Sequence, residues 1–182
     1  MEFIHQKTLG VMGLGHIGKA VAQKASLAGM RVVSWDMARA DAPFVDRQFG
    51  AGDMRDFLEE ADFIVLALPS TPATKNLVDR EFFKGMKKTA YLINICRGAL
   101  VDERALVEAL TSGQIAGAVI DAMKEEPLPD KSPLWDCPNL ILTPHISGPS
   151  LPEDMVEIFK ENLRRFLAKE PLIGLIDFSR GF

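Results

Sequence analysis

Cysteine is scarce in this 182-residue chain: only Cys96 and Cys137 occur. Two isolated cysteines build no disulfide framework, and neither stands in a Cys-x-x-Cys or Cys/His spacing that would hold a metal. No metal and a reducing, cytoplasmic compartment are therefore expected. Positive charge is also short. Lys and Arg number 21 against 25 Asp and Glu, a formal net charge of -4, the pI is near 5.4, and no long basic run offsets the balance. That argues against a non-specific nucleic-acid or membrane surface and points to a small-molecule partner. Long apolar runs are missing too. Nothing approaches the ~20 residues of a membrane span, and the opening MEFIHQK lacks the basic and apolar regions of a secretory signal. Hydrophobic residues nevertheless make up 47% of the chain, enough for a sizeable core in one domain with an appendage.

The stretch TLGVMGLGHIG, Thr8 to Gly18, runs a short apolar strand into Gly13, Gly15 and Gly18, the G-x-G-x-x-G spacing. Gly13 permits a tight turn off the strand, Gly15 lets a diphosphate approach the backbone without an intervening β-carbon, and Gly18 lets the next helix pack closely on the sheet. The N–H groups of a helix starting near His16 then face an anion. Three glycines alone are a weak signal, so the setting decides. A helix over Ile17–Ala28 and an apolar strand over Arg31–Trp35 follow. Asp36 then stands eighteen positions after Gly18, where an acid that binds a dinucleotide's ribose hydroxyls is expected.

Further apolar strands are expected over Phe63–Leu68, Tyr91–Ile95, Ala116–Ile120 and Leu140–Thr143, alternating with a short helical piece around Met54–Glu60, an irregular stretch with Arg80–Met86 and a clean helix at Glu103–Leu110. Asp102 reads as the N-cap of the last of these helices and Gly113 as its stop. Such alternation predicts an α/β fold, a doubly wound parallel sheet of Rossmann type in three α/β/α layers, followed by a C-terminal helix. Residues 1–149 are read as the dinucleotide-binding domain and 150–182 as the helix and tail. The loop LPSTPAT, Leu68–Thr74, carries two prolines and is a rigid turn at the carboxyl end of a strand, on the side of the cofactor's adenosine half or simply structural.

Arg97 emerges just past the strand ending at Ile95, placed where a guanidinium can clamp a carboxylate through two parallel hydrogen bonds. Asp121 ends the next strand, with Glu125 and Glu126 ahead of Pro127, and His145 ends the last. His5 and His16 need no catalytic explanation. If the strands are ordered 3-2-1-4-5-6, the last three lie side by side, and Arg97, the Asp121–Glu126 loop and His145 emerge at one edge, where a nicotinamide would lie. A carboxylate bonded to an imidazole favours its protonated form, so Glu126 can keep His145 ready to donate a proton. A cation that clamps an acid, an imidazolium that protonates a carbonyl and a cofactor that supplies hydride together make an oxidoreductase site.

GLGHIGKAVA, LPSTPAT, RGALVDERALVEAL, SGQIAGAVIDAMKEEPLP and NLILTPHISG resemble, in order and spacing, the successive motifs of the D-isomer-specific 2-hydroxyacid dehydrogenases over nearly residues 7–148. The resemblance implies NAD as cofactor and a small 2-oxo or 2-hydroxy acid as substrate. It implies Arg97 as the substrate-binding arginine, Glu126 as the acid that tunes the histidine, and His145 as the general acid/base. It further implies that Asp121 holds the nicotinamide carboxamide, that Asp36 holds the adenine ribose, and that His16 and Ile17 bind the diphosphate through their backbone. Leu68, Pro69 and Thr74 would line the adenosine and phosphate side, and Ile95 and Cys96 the nicotinamide ribose and ring. Asp36 would also repel a 2'-phosphate and so favour NAD over NADP, although Arg39 stands close by.

Ala122 and Met123 replace the valine and phenylalanine usual after the aspartate, and Cys96 stands where a small hydroxyl residue or alanine is common. Relatives of this family have a second domain, built from an N-terminal segment and the last helix, that completes the substrate pocket. Here the chain begins one strand before the glycine loop, so a missing substrate lid is expected. The tail NLRRFLAKEPLIGLIDFSRGF resembles the glyoxylate and hydroxypyruvate reductase branch. Ser150 and Glu153 suggest a capping box, and Met155, Phe159, Leu163 and Phe166 an apolar stripe on the final helix. That stripe must pack on this domain, pack on another subunit, or stay partly exposed. The resemblance makes a homodimer the default, and a non-catalytic dinucleotide-sensing or partner-binding module is the competing reading.

Overall fold

The computed structural model describes residues 3–37, 42–148 and 151–178. They form two compact units, Met1–His145 and Ile146–Phe182. Seven strands run through the first unit: β1 (Thr8–Met12), β2 (Arg31–Trp35), β3 (Arg47–Phe49), β4 (Phe63–Leu66), β5 (Tyr91–Asn94), β6 (Gly117–Ile120) and β7 (Leu140–Leu142). They make one sheet in the order β3-β2-β1-β4-β5-β6-β7, parallel throughout. Helices α1 (His16–Leu27), α2 (Met54–Glu60), α3 (Arg80–Gly85) and α4 (Glu103–Thr111) complete that unit.

The side-chain period of two sends neighbouring strand residues into separate cores. Val11, Val32 and Val65 join Ala22 and Ala25 of α1 on one face. Met12, Val33 and Leu66 join Phe57 of α2, Phe83 of α3 and Leu106 of α4 on the other. Burial on both faces explains why β1 reads as an apolar run rather than an alternation, all five of its residues being buried. Helix α4 begins as its sequence suggests, with the Asp102 side chain accepting from the N–H groups of Arg104 at 3.0 Å and Ala105 at 3.3 Å. Beyond its end Gly113 takes a φ of +68°.

The sheet corrects the expected strand order in one respect. Arg47–Phe49 is an additional outer strand that hydrophobic pattern does not reveal, since only one of its three residues is apolar. It occupies the far edge beside β2, and the strand starting at Phe63 pairs directly with β1 instead. The reversal of strand order therefore falls between β1 and β4, and the loop from Leu68 borders the crevice there. The side-by-side placement of β5, β6 and β7 is as expected.

The second unit holds α5 (Pro152–Ala168). Pro152 stands in its first turn, Glu153 and Asp154 follow it, and Lys169 ends the helix in the left-handed region. The expected capping residue Ser150 lies outside the described residues. Asn162 ties the tail back to the helix, donating to the Ile173 carbonyl at 3.1 Å and accepting from its N–H at 2.9 Å. Among the described residues, Met155, Phe159, Leu163 and Phe166 remain 46–69% exposed. Among the described residues no helix is long and apolar enough to cross a membrane.

Candidate active site

The glycine loop leaves β1 with Gly13 at a φ of +94°, its N–H donating to the Trp35 carbonyl at 2.9 Å. A β-carbon on Gly13 would lie 2.6 Å from the Ala67 carbonyl oxygen, so the segment after β4 packs directly on the turn. Gly15 behaves differently. It is exposed, it precedes α1 without a side-chain cap, and nothing lies within 4 Å of the place a β-carbon would take. An open glycine before twelve residues of helix with no acid in the first turn is a cradle for an anion, and a diphosphate fits it. His16 and Ile17 are exposed, Ile17 at 62%, in the first turn of α1, whose N–H groups have no partner within the helix.

Asp36, just past β2, accepts from Leu14 N–H at 2.8 Å. Its carboxylate is thereby anchored beside the turn that it is expected to serve. Leu68 is buried and Pro69 half-buried. Thr74 uses its hydroxyl to fold its own loop, donating to the Pro69 carbonyl at 2.7 Å and accepting from Thr71 N–H at 2.8 Å.

The carboxyl ends of β5, β6 and β7 carry the second cluster. The Cys96 thiol donates to the Leu66 carbonyl at 2.7 Å, and burial pushes it up to about 11. Arg97 is exposed, its Nη1 donating to the Cys96 carbonyl at 2.8 Å. Asp121 is 2% exposed and accepts from the Thr143 hydroxyl at 2.6 Å. Its carbonyl receives the His145 N–H at 2.8 Å, which helps hold His145 at a φ of +55°. A close approach joins the neighbouring loops as well, since a β-carbon on Gly98 would fall 2.0 Å from the Met123 carbonyl carbon.

Glu126 Oε2 lies 2.9 Å from His145 Nδ1, and Oε1 accepts from Met123 N–H at 2.9 Å. The hydrogen bond to His145 chiefly holds the Glu126 carboxyl below the usual carboxylate range. The Met123 N–H and the charges of His145 and Arg97 act in the same direction. A carboxylate only accepts, so Nδ1 carries a proton and Nε2 is the ring atom left to exchange one. Of the contributions that lower the Glu126 carboxyl, the Arg97 charge is the smallest. A cavity of about 720 Å³ opens beside the pair, walled by Met123, Leu128, Trp135 and Leu142. Among the described residues no group of three or more His, Cys, Asp or Glu side chains is arranged to hold a metal ion.

Asn94, Thr143 and the N–H groups of Leu14 and Met123 were not singled out by their sequence pattern. Leu14, Thr143 and, through Ala122, Asn94 work with partners that only the fold supplies, whereas Met123 meets Glu126 three residues on.

A parallel α/β sheet with a glycine turn at its point of reversal, and an ionised acid–histidine pair beside an arginine at its neighbouring strand ends, defines a dinucleotide-binding domain of dehydrogenase type. Comparison with known proteins gives the family: residues 1–147 match the D-isomer specific 2-hydroxyacid dehydrogenase NAD binding domain, and the chain belongs to that family. A glyoxylate reductase of Pyrococcus horikoshii is 43% identical over 167 residues, covering 90% of this chain and 49% of the relative. A glyoxylate/hydroxypyruvate reductase A of Yersinia enterocolitica is 35% identical, covering 98% and 57%. Among solved structures, a D-isomer specific 2-hydroxyacid dehydrogenase from Xanthobacter autotrophicus Py2 in complex with NADPH and MES superposes with a TM-score of 0.94 at 35% identity. It covers all of this chain and 75% of that one. The chain thus resembles the glyoxylate/hydroxypyruvate reductase branch and spans about half the length of the curated relatives it matches.

Proposed function

We propose that residues 1–149 are the dinucleotide-binding and catalytic half of an NAD(H)-dependent 2-hydroxyacid dehydrogenase acting on glyoxylate or hydroxypyruvate. On this reading, residues 150–182 join it to a substrate-covering domain. The observation that carries this is the Glu126–His145 pair at 2.9 Å at the strand ends next to Arg97. Arg97 holds the substrate carboxylate, and His145, held through Nδ1 by Glu126, donates its Nε2 proton to the carbonyl oxygen during reduction and takes it back during oxidation. Bound nicotinamide supplies or accepts the hydride.

Gly13 and Gly18 form the tight turn in which Gly15 and the backbone of His16 and Ile17 take the diphosphate, and Asp36 takes the adenine ribose. Leu68, Pro69 and Thr74 border the adenosine side. Ile95, Cys96 and Asp121 border the nicotinamide. Asp36 favours NAD(H), because its carboxylate accepts from a ribose hydroxyl and repels a phosphate there. Arg39, the residue that would oppose this, lies outside the described residues. A cytoplasmic homodimer completes the reading.

The test is a binding titration with NADH beside an absorbance assay with glyoxylate or hydroxypyruvate. The 182-residue chain alone is expected to bind NADH and turn over slowly, because an incompletely enclosed carbonyl stays hydrated and poorly oriented. In the whole protein, His145→Ala should lower kcat, and Arg97→Ala should also raise KM. A folded chain that does not bind NADH refutes the proposal.

A further inference from the structure

The carboxyl end of β5 is shaped by a side chain with no assigned role. Asn94 is fully buried, and its carboxamide spends one acceptor and both donors on the loops above the sheet. Oδ1 accepts from Cys96 N–H at 3.0 Å. Nδ2 donates to the Arg97 carbonyl at 3.2 Å and, by a longer bond, to the Ala122 carbonyl at 3.4 Å. Partners of one N–H and two carbonyls admit a single orientation of the amide, with oxygen toward Cys96. The first bond is a two-residue Asx turn, which ends the strand. The Arg97 bond closes the same turn one residue further on, and the Ala122 bond crosses to a loop 28 residues away.

We infer that Asn94 is the positioning residue of the Arg97 clamp, fixing where that arginine leaves the sheet relative to the Asp121–Glu126 loop. The inference rests on the reading of Arg97 as the carboxylate-binding group. Arg97 is itself exposed, and its guanidinium donates to Cys96 O, an atom of the same turn. The backbone of that turn therefore sets the direction of the guanidinium, and Asn94 holds the turn from beneath at both of its ends. The Ala122 bond does a second job. Ala122 follows Asp121 and precedes Met123, whose N–H holds Glu126, so one amide references the clamp and the histidine's partner to the same point. Close contact of Gly98 with the Met123 backbone joins the same loops from the other side.

No other side chain of similar size reproduces this set. Aspartate keeps the acceptor for Cys96 but sets a carboxylate oxygen against two carbonyls, and serine keeps the short turn while reaching neither carbonyl. The glycine loop follows β1 and shares none of the three Asn94 hydrogen bonds.

The experiment follows the backbone and Nε–Hε resonances of Arg97 in the isotope-labelled chain saturated with NADH, while oxamate is added as an unreactive 2-oxo acid analogue. NADH affinity is measured separately by fluorescence. Asn94→Asp and Asn94→Ser are expected to keep NADH affinity within about twofold while oxamate affinity falls about tenfold, the scale of one lost buried hydrogen bond. Acidification should recover part of the loss in Asn94→Asp, as protonation returns a donor, and none in Asn94→Ser. Unchanged oxamate affinity in both variants, with Arg97→Ala defective, overturns the role of Asn94 alone. An oxamate response that Arg97→Ala does not alter, or none in the unsubstituted chain, overturns the clamp reading and this inference with it. Parallel loss of NADH and oxamate binding, or unfolding of both variants, makes Asn94 a determinant of the fold and also overturns it.

Discussion

The carbonyl oxygen of Gly13 lies 1.8 Å from the point where a β-carbon on Gly18 would stand. The two glycines therefore constrain each other across the turn: one supplies a left-handed backbone, the other the absence of a side chain beneath it. Gly18→Ala should cost about 1–3 kcal/mol through overpacking, a fall in Tm on the order of 5 °C. Gly15→Ala meets nothing within 4 Å and should change stability by less than about 1 kcal/mol at this helix-capping position, while weakening NADH binding. Calorimetry and a binding titration on both variants separate the effects, and equal Tm losses would count against this division of labour.

Removal of His145 takes away the largest cause of the low Glu126 pKa, so in His145→Ala that carboxyl should titrate back toward its ordinary 4.5. A carboxyl lowered in the folded chain stabilises it at pH values above the unfolded pKa. That contribution disappears as pH falls through the folded value. The unsubstituted chain should thus lose stability below pH 4.5 more steeply than His145→Ala. Carbon-13 titration of Glu126 and denaturation across the acid range measure both, and coincident acid limbs would dissolve the pair.

Asp36 is bonded to Leu14 N–H, so its removal has two consequences. Asp36→Ala should loosen the glycine turn and weaken both NADH and NADPH. Asp36→Asn keeps an oxygen for Leu14 and discards the charge, so it should narrow a preference for NADH over NADPH. Calorimetric titration of both cofactors decides it. Tighter NADPH binding by the unsubstituted chain would show that another group outweighs the acid.

Cys96 should resist alkylation at pH 8, with Cys137 modified first, because burial raises Cys96 from 9.0 to about 11. The folded chain holds that proton where the unfolded chain releases it, so this contribution to stability is present below pH 9 and is lost as pH rises through about 11. Iodoacetamide labelling read by mass spectrometry measures the first effect. Cys96 labelling at the rate of an exposed thiol would refute the burial assigned to it.

Legibility followed locality. The glycine turn, Asp36, the Asp102 cap and the strand ends carrying Arg97, Asp121 and His145 are written in short stretches whose physics is self-contained. Strand β3 is not, because Arg47 and Gln48 become strand residues only by pairing with Val33 and Ser34. The work of Asn94 and Thr143 was equally hidden, since Ala122 and Asp121 stand 28 and 22 residues from them. The bond that the Thr74 hydroxyl makes to the Pro69 carbonyl within its own loop was hidden as well. A threonine two residues after a proline carries no mark of which acceptor it will find.

The pairing of β1 with β4 joins segments far apart in the chain, Thr8 and Asp62 being 54 residues apart, whereas every other ladder joins consecutive strands. The sheet is accordingly two locally ordered halves, β1 to β3 and β4 to β7, sewn along a single seam, and closing that long loop is its costliest entropic step. The glycine turn sits at the head of the seam, with Ala67 of the opposite half against Gly13. On the proposed placement, a dinucleotide with its diphosphate on one half and its nicotinamide on the other would act as a non-covalent crosslink. Each increment of binding free energy is then an increment of resistance to the halves parting.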